Sequence, residues 1–371
     1  MKKRIIKIIA AVLLVAAIAG TAVYSAVVMT PELSVAEEEK DGVLNPLTGE
    51  YVENLPSRPI MVSTDNVGDA IPQYGVSHAD IVYEVPVEGA QSRLEVIYYS
   101  DIPKTVGPCR SVRPYIVDLA REYDAVLTHD GWSPDARSYL AQGIVADIPA
   151  QSNSFFYRTN AKSAPHNCLA DTEDVISAAA EKGYDEPVDV RGFTFLNEEE
   201  AAVLSGREEE YLAEYEKKAK EQLRFRWQKY RLPDLSRITF PENSEASEIT
   251  VGYSNCTGKY EWNAEKSRYI RYANGLQYCD LPDGTAVEVS NVIVYNVSSS
   301  VLDQKGRLSI NMCLGGDAWV FTQGRVFECS WSKKDLDSPT VFTDSEGNEI
   351  KLSAGKSWIC VIDQNSRFEY R

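Results

Sequence analysis

A long uncharged run near the N-terminus constrains this chain more than any other feature. Residues 8–28 carry no charged side chain and follow four basic residues between positions 2 and 7. A membrane helix needs about 20 apolar residues, whereas the apolar core of a cleaved signal peptide has about 7 to 15. The length therefore predicts a transmembrane anchor, with its basic cytoplasmic tip, over residues 1–28. The positive-inside rule leaves the rest of the chain outside the cytoplasm. Cleavage after Ser25 is the alternative.

Composition limits the class of partner. The 371 residues are 44% hydrophobic, which is enough for two domains with cores of their own, and they carry a formal net charge of -17. Because an acidic chain repels a polyphosphate backbone, we predict no nucleic-acid partner. A site for any other anion has to be built from local positive charge.

Seven cysteines offer neither a metal site nor a dense disulfide framework. They include no Cys-x-x-Cys pair and no metal-binding spacing with the three histidines, so the sequence predicts no metal and no cofactor. The first cysteine, Cys109, lies too far along the chain to carry a lipid near the N-terminal run. Because a neighbouring cation lowers a thiol pKa, Cys109 beside Arg110 is a candidate reactive thiol.

The first half of the chain has the pattern of an α/β region. Residues 29–44 are acidic and poor in large apolar side chains, as is typical of a solvated linker. Strand-like runs follow at 59–65, 80–88 and 93–100, and then come apolar residues at helical spacing and the buried strand DAVLTH. We therefore predict an α/β domain over residues 45–190.

One junction in this region is typical of a ligand site. Ser133 is a predicted helix N-cap and Pro134 a predicted first helical residue, directly after the DAVLTH strand and its glycine loop. In α/β proteins, ligands are commonly held at strand ends and helix starts, where backbone N–H groups are available to an anion.

The second half, residues 191–371, is predicted to be a β-rich domain with a helical insertion at about 206–242. Short strand-like runs separated by turn signals fill most of it. Apolar residues at helical spacing predict one amphipathic helix over about 206–231, ended by Pro233. The residues of this apolar stripe are Leu212, Tyr215, Ala219, Leu223, Trp227 and Tyr230.

Several motifs, taken in order, carry a family resemblance. They are NPLTG, SHADIVYEVPVEG, GPCRSVRPY, YDAVLTHDGWSP, APHN and SNVIVYNV. Together they resemble the YerB-like family of bacterial extracytoplasmic proteins, many of them lipoproteins of unknown function, over most of residues 45–362. The resemblance implies a layered mixed α/β sandwich followed by a smaller β-rich domain. This chain departs from the family in having a transmembrane segment in place of a lipid-attachment motif, and in its helical insertion.

The arginines of GPCRSVRP are the centre of the predicted site. Arg110 and Arg113 suit planar, bidentate recognition of a carboxylate or phosphate. Other polar residues stand at strand ends and in loops of the same domain. The predicted ligand-binding residues are Glu84, Glu88, Arg93, Arg110, Arg113, His129, Asp130, Arg158, His166 and Asn167. The expected ligand is an anionic cell-envelope molecule or polymer: a wall precursor, a wall-polymer phosphate or a peptide carboxylate.

Three alternatives stay open on the sequence alone. The arginines could instead pair with Glu84 or Glu88 in a buried network that only fixes the fold. The helical insertion and the C-terminal surface could recruit an envelope protein as a scaffold. His129 or His166 could act as a general base in a hydrolase or transferase, although no GxSxG or similar motif supports this. Binding is therefore favoured over catalysis.

Overall fold

The computed structural model describes residues 40–223, 229–281 and 283–371. The predicted anchor at 1–28 and most of the predicted linker at 29–44 lie outside these residues. Within the described part of the chain, no helix is long and apolar enough to cross a membrane.

The described residues are rich in short strands. In chain order these are β1 Val43–Leu44, β2 Tyr51–Val52, β3 Ile60–Asp65, β4 Ile81–Pro86, β5 Ser92–Tyr98, β6 Thr105–Val106, β7 Val126–His129, β8 Ala146–Pro149, β9 Phe156–Arg158, β10 Cys168–Asp171, β11 Ser244–Glu245, β12 Glu248–Gly252, β13 Thr257–Asn263, β14 Arg268–Ala273, β15 Leu276–Gln277, β16 Glu288–Val289, β17 Asn291–Asn296, β18 Ser299–Val301, β19 Leu308–Ile310, β20 Gly316–Thr322, β21 Arg325–Ser332, β22 Val341–Thr343, β23 Ser357–Ile362 and β24 Arg367–Tyr370. The helices are α1 Pro114–Glu122, α2 Pro134–Leu140, α3 Thr172–Glu181, α4 Glu198–Ser205 and α5 Glu208–Gln222.

One large sheet of eleven strands organises the described residues. Its order is β11, β21, β20, β17, β23, β4, β5, β3, β7 and β8, with β22 paired to β21. Neighbouring pairs β17–β23, β23–β4, β3–β7 and β7–β8 are parallel, while β5 is antiparallel to both β3 and β4. Strands β3, β4, β7, β8, β17 and β23 therefore all run in one direction, and their carboxyl ends meet at one edge. The predicted boundary near residue 190 falls between α3 and α4, and strands from both sides of it share this sheet.

Both faces of the large sheet are covered, which explains why its central strands are apolar throughout rather than alternating. On one face, Met61, Tyr83 and Ile97 lie in a core cluster with Tyr115 and Ile116 of α1. On the other face, alternate residues of the same strands pack against a second, antiparallel sheet ordered β15, β14, β13, β12 and β24, with β16 on β14. The mixed α/β layered fold predicted from the sequence is confirmed.

Local signals placed the elements near the site correctly. Ser133 caps α2, its side chain accepting a hydrogen bond from the backbone N–H of Ala136 at 3.2 Å, and Pro134 is the first helical residue. The DAVLTH segment forms the buried strand β7. A smaller sheet of β6, β10 and β9 brings residues 156–171 alongside the segment at 105–106.

The described residues of 206–239 do not belong to the compact unit formed by 40–205 and 240–371. Their helix α5 ends at Gln222, and the Tyr230 hydroxyl donates a hydrogen bond to Glu216 at 2.5 Å. Fourteen residues of continuous helix would span about 21 Å, so a continuous helix could not bring Tyr230 into contact with Glu216. The predicted single helix to residue 231 is therefore wrong, although Trp227 of its apolar stripe lies outside the described residues.

Candidate functional site

Polar side chains gather where the parallel strands β3, β7 and β8 end. The last residue of β3 is Asp65, and the loop after β7 begins with Asp130. This is the carboxyl edge of the sheet, at which α/β proteins usually hold ligands.

Arg110 is fixed at this edge by its backbone. Its N–H donates to the Ser63 carbonyl at 2.8 Å, and its own carbonyl accepts from the N–H of Asp130 at 3.1 Å. The backbone of the adjacent Cys109 forms an isolated antiparallel β-bridge with Thr64. The GPCRSVRP segment thus runs between the end of β3 and the loop after β7, and it places the Arg110 side chain over the edge of the sheet.

Asp65 holds two of the predicted site residues through one oxygen atom. Its Oδ2 accepts a hydrogen bond from His166 Nδ1 at 2.7 Å and lies 3.3 Å from Arg110 Nε. The Asp65 carboxylate is 4% exposed, whereas the side chains of His166 and Arg110 are 17% and 25% exposed. Sequence reasoning missed Asp65, although its position as the polar end of an otherwise apolar strand was a usable signal.

The outer atoms of these two side chains have no described partner. Arg110 Nε is close to Asp65 but lacks hydrogen-bond geometry, and none of the described residues accepts from its two Nη atoms. The Nε2 atom of His166 is likewise without a hydrogen-bond partner among the residues the structure describes. Both groups are partly exposed, so they are available to a ligand.

Lys162 adds a cation that sequence reasoning also missed. Burial lowers the pKa of Lys162, while the charges of Asp65 and Asp69 act in the opposite direction. Its Nζ donates to the Asp69 carbonyl at 3.3 Å. Lys162 belongs to the FYRTNAKSAPHN segment, in which the sequence predicts only Arg158, His166 and Asn167 as site residues.

Asp130, Arg158 and Asn167 form a second arm of the same group. Arg158 donates from Nη2 to Asp130 at 2.8 Å and from Nη1 to the Asn167 side-chain oxygen at 3.1 Å. Arg158 is 51% exposed. We refer to the whole group as the edge site, which comprises Asp65, Arg110, Asp130, Arg158, Lys162, His166 and Asn167.

The cysteines beside the edge site are protonated thiols. Burial, helped by the nearby charge of Asp130, raises the pKa of Cys168 to about 12. Burial also raises the pKa of Cys109 well above its usual value. The hypothesis that Arg110 lowers the thiol pKa of Cys109 is therefore wrong, because the loss of hydration outweighs the neighbouring cation.

Arg93 and Arg113 are committed to partners inside the protein. Arg113 donates to both oxygens of Glu88, at 2.6 and 2.9 Å, and its Nη1 reaches the carbonyls of Ser111 and Val112. Although burial acts to raise it, the hydrogen bond and charge of Arg113 hold the pKa of Glu88 below its usual value. Arg93, which is buried, donates to the Ser111 carbonyl. These residues have the internal pairing that was the alternative to a ligand site.

Glu84 lies on the face of the large sheet that packs against the second sheet, opposite the face covered by α1. It is fully buried and accepts from Asn66 and Ser92, and its second oxygen faces the guanidinium of Arg271 at 3.3 Å. The guanidinium of Arg271 stacks on Trp358 at 4.0 Å from the ring centre. Glu84 is therefore separate from the edge site.

His129 is also internal. Its side chain is fully buried, with Nδ1 2.8 Å from the Gly131 carbonyl and Nε2 2.8 Å from the Asp147 carboxylate. Both partners are acceptors, so both ring nitrogens are engaged when each carries a proton. The ring packs edge-on to Trp132 at 5.8 Å. His129 supports the loop that carries Asp130 and cannot itself touch a ligand.

Two further features lie apart from the edge site. A cleft of about 420 Å³, lined by residues that include Ser77, Arg268, Glu288 and Lys356, lies near the amino ends of β4, β17 and β23. Within the described residues, no group of three histidine, cysteine, aspartate or glutamate side chains is placed to hold a metal ion.

The fold and the site define a layered α/β protein with a cluster of charged side chains at the carboxyl edge of its sheet. The chain belongs to the YerB-like family: residues 47–185 match the model described as "Protein of unknown function (DUF3048) N-terminal domain", and 249–359 match the corresponding C-terminal domain. The resemblance predicted from the motifs is confirmed.

Known relatives agree with this assignment. A Bacillus subtilis (strain 168) protein described as "Putative lipoprotein YerB" is 28% identical over 344 residues, which cover 89% of this chain and 91% of the relative. The crystal structure of YerB protein from Bacillus subtilis superposes with a TM-score of 0.70 at 25% identity, and the match covers 88% of this chain and 99% of that one.

Proposed function

We propose that this chain is a membrane-attached extracytoplasmic protein that binds an anionic cell-envelope ligand at the edge site. The ligand class is that predicted from the sequence: a wall precursor, a wall-polymer phosphate or a peptide carboxylate. No catalytic step is needed for this function.

The location rests on the N-terminus and on the relative. A basic tip followed by 21 uncharged residues is the pattern of a single-pass anchor with a cytoplasmic N-terminus. The description of the Bacillus subtilis relative as a lipoprotein supports attachment to the outer side of a membrane by a different kind of anchor. The compartment would be shared and the means of attachment would differ.

One observation carries the proposed binding function: backbone hydrogen bonds fix the position of Arg110, yet its Nη atoms have no described acceptor. Its neighbour Arg113 shows what a structural arginine looks like in the same segment, since both oxygens of Glu88 neutralise it. A guanidinium with two free donors offers bidentate recognition of a carboxylate or phosphate.

Positive charge is available at the edge site. The site holds three cationic side chains, Arg110, Arg158 and Lys162, beside the carboxylates of Asp65 and Asp130, and the charge of Asp69 acts on Lys162 as well. The cations therefore balance the nearby carboxylates in a chain whose formal net charge is -17. Partial burial strengthens such charges, because there is less water to screen them.

Thermal unfolding of the full chain in detergent, with and without wall-derived anions, tests the proposal. A ligand present at 100-fold its dissociation constant should stabilise the wild type by about 2.7 kcal/mol. Arg110→Ala should abolish this shift and lower the unliganded melting temperature less than Arg113→Ala does, because Asp65 keeps its hydrogen bonds from His166 and the Val67 N–H. Arg113→Ala is the matched control: it leaves Glu88 unpaired, should destabilise the fold by about 3 kcal/mol, and should keep the ligand shift.

The reverse pattern would contradict the proposal. If Arg110→Ala lowered the melting temperature as much as Arg113→Ala, and no anion shifted the wild type, both arginines would be structural.

The two other hypotheses have different support. The helix α5 favours the scaffold, because it lies outside the unit formed by 40–205 and 240–371 and offers a helical surface for an envelope protein. For turnover, His166 is the better candidate for a general base than His129, whose two ring nitrogens are already engaged.

A further inference from the structure

The second sheet has an unpaired border at strand β24, far from the edge site in the order of strands. In the order β15, β14, β13, β12 and β24, this strand is the last, and it pairs only with β12. Among the described residues, no other strand is hydrogen-bonded to it. A border strand of this kind presents a row of backbone N–H and C=O groups to which a further strand can bind.

The register with β12 shows which of these backbone groups are unused. Arg371 and Glu248 exchange both of their backbone hydrogen bonds, each at 2.9 Å. In an antiparallel ladder such pairs alternate with non-hydrogen-bonded pairs, so every second residue of β24 is bonded to β12. The N–H and C=O groups of Phe368 and Tyr370 therefore point away from β12, and no described residue hydrogen-bonds to them.

The side chains of β24 alternate between the two faces of the second sheet. Phe368 and Tyr370 are partly buried; Phe368 packs against Trp319 with ring centres 4.8 Å apart, and Tyr370 against Phe368 at 5.7 Å. Arg367 and Glu369 are exposed on the other face. Neither has an ion-pair partner within the described part of the chain, so this face presents one cation and one anion two residues apart.

A second copy of the chain matches this pattern in one antiparallel register. Two identical strands pair about a twofold axis, which has to lie at Phe368, Glu369 or Tyr370 if the unused backbone groups are to meet. An axis at Phe368 places Arg367 of each copy opposite Glu369 of the other. An axis at Glu369 places the two Glu369 carboxylates opposite each other, which is destabilising. An axis at Tyr370 leaves only that residue of each β24 opposite its counterpart.

We propose that β24 pairs with β24 of a second copy about an axis at Phe368, so that the chain forms a homodimer through its second sheet. The two Phe368 residues exchange backbone hydrogen bonds, and each Tyr370 N–H donates to the Ser366 carbonyl of the other copy. Arg367 and Glu369 form two symmetric ion pairs at non-hydrogen-bonded positions, where opposite side chains are closest. This inference goes beyond anion binding and does not depend on it.

The dimer should be weak in solution. One short strand from each copy gives a contact at the small end of protein interfaces, so we expect a dissociation constant on the order of 10 to 100 µM. Attachment of both copies to one membrane raises their effective concentration, which favours the pairing there.

Sedimentation equilibrium of the full chain in density-matched detergent tests the proposal. Arg367→Glu turns both ion pairs into pairs of carboxylates, and Glu369→Arg turns both into pairs of cations. Each change should raise the dissociation constant by about tenfold or more, because two attractions become two repulsions. The double variant carrying both changes restores opposite charges and should dimerise as the wild type does.

Mixing provides a second measurement that a loss of folding cannot imitate. An equimolar mixture of the Arg367→Glu and Glu369→Arg chains should form heterodimers, since every cross-strand pair is then of opposite charge. The matched control is Arg191→Glu, which makes the same change of net charge at an exposed residue outside β24 and should leave the equilibrium unchanged.

Three results would overturn the pairing through β24. They are a wild type that stays monomeric up to about 1 mM, well above the expected dissociation constant; a dimer that both single charge reversals leave intact; and single variants that neither mixing nor the double variant restores. The shift of the melting temperature by anions at the edge site should persist in every variant, so failure of the dimer leaves the proposed function standing.

Discussion

At the scale of single residues, the same charge pair serves different purposes according to what surrounds it. The pair of Arg113 with Glu88 is complete within the protein, because both oxygens of Glu88 accept hydrogen bonds from the guanidinium. The pair of Arg110 with Asp65 leaves donors unused, because the carboxylate is shared with His166 and the Nη atoms of Arg110 have no described acceptor. Burial and geometry, rather than residue type, separate an arginine that is fully paired within the protein from one that keeps unpaired donors.

Glu95 is a buried acid that forms an ion pair with neither Arg110 nor Arg113. It is fully buried on β5, accepts from the Ser63 hydroxyl at 3.2 Å, and has its second carboxyl oxygen without a hydrogen-bond partner. Burial raises its pKa to about 8, although the charge of Arg93 acts to lower it.

The stability of the fold should therefore depend on the protonation of Glu95. Folded Glu95 keeps its proton up to about pH 8, whereas the unfolded side chain releases it near 4.5. The contribution of this group to stability is complete below pH 4.5 and is lost as pH rises toward 8. Glu95→Gln mimics the protonated acid, so the free energy of unfolding of the variant should rise relative to wild type across that range, by a few kcal/mol in order of magnitude.

Urea unfolding at pH 5 and pH 8 measures the effect. Exposed Glu181→Gln is the control and should follow the wild type at both values. Parallel stability profiles for Glu95→Gln and wild type would mean that Glu95 is ionised in the folded protein and that Arg93 compensates its charge.

At the scale of elements, the sequence predicted what local chemistry decides. The Ser133 cap, the first helical proline and the buried β7 strand follow from residues next to one another. The pairing of Asp65 with His166 joins residues 101 positions apart, and no local pattern encodes it. The burial of His129 likewise depends on the neighbouring strand β8, which supplies Asp147.

The helical insertion is a second case in which local sequence pattern did not predict the structure. Apolar spacing predicted a helix through residue 231, but periodicity carries no information about the hydrogen bond between Tyr230 and Glu216. The ion pairs within α5, Glu214 with Lys218 and Glu216 with Lys220, are exposed, and exposed pairs contribute little to stability. Apolar periodicity and exposed ion pairs therefore do not fix where this helix ends.

Replacing residues 206–239 with a flexible glycine–serine linker should leave the larger unit folded. All strands of the large sheet come from residues 40–205 and 240–371, so the denaturation midpoint monitored by the buried tryptophans should stay close to that of the wild type. Ligand shifts at the edge site should also remain. If the scaffold hypothesis is right, the same deletion removes capture of an envelope partner; loss of anion binding would instead implicate the insertion in the edge site.

At the scale of the whole molecule, the two family domains are joined through one sheet. Strand β23, near the C-terminus, lies between β17 and β4 and is parallel to both. The sequence predicted a division near residue 190, and strand-like runs alone carry no information about which strands become neighbours. The central strands meet through residues more than 270 positions apart, such as Trp358 and Glu84. The sheet can therefore form only when the complete chain is present.

Unfolding of the sheet should therefore be a single cooperative event. Strand β23 is buried along its whole length, so without it β4 would lose its ladder on one side and the apolar faces of β4 and β17 would be exposed to water. Native-state hydrogen exchange should give β4 and β23 the same free energy of opening, equal to the global value from urea unfolding. A chain ending at residue 239 should lack a cooperative transition altogether. If that truncated chain instead unfolded cooperatively, or if β4 stayed protected after β23 had exchanged, the N-terminal family domain would be an independent folding unit, and the edge site could be studied on it alone.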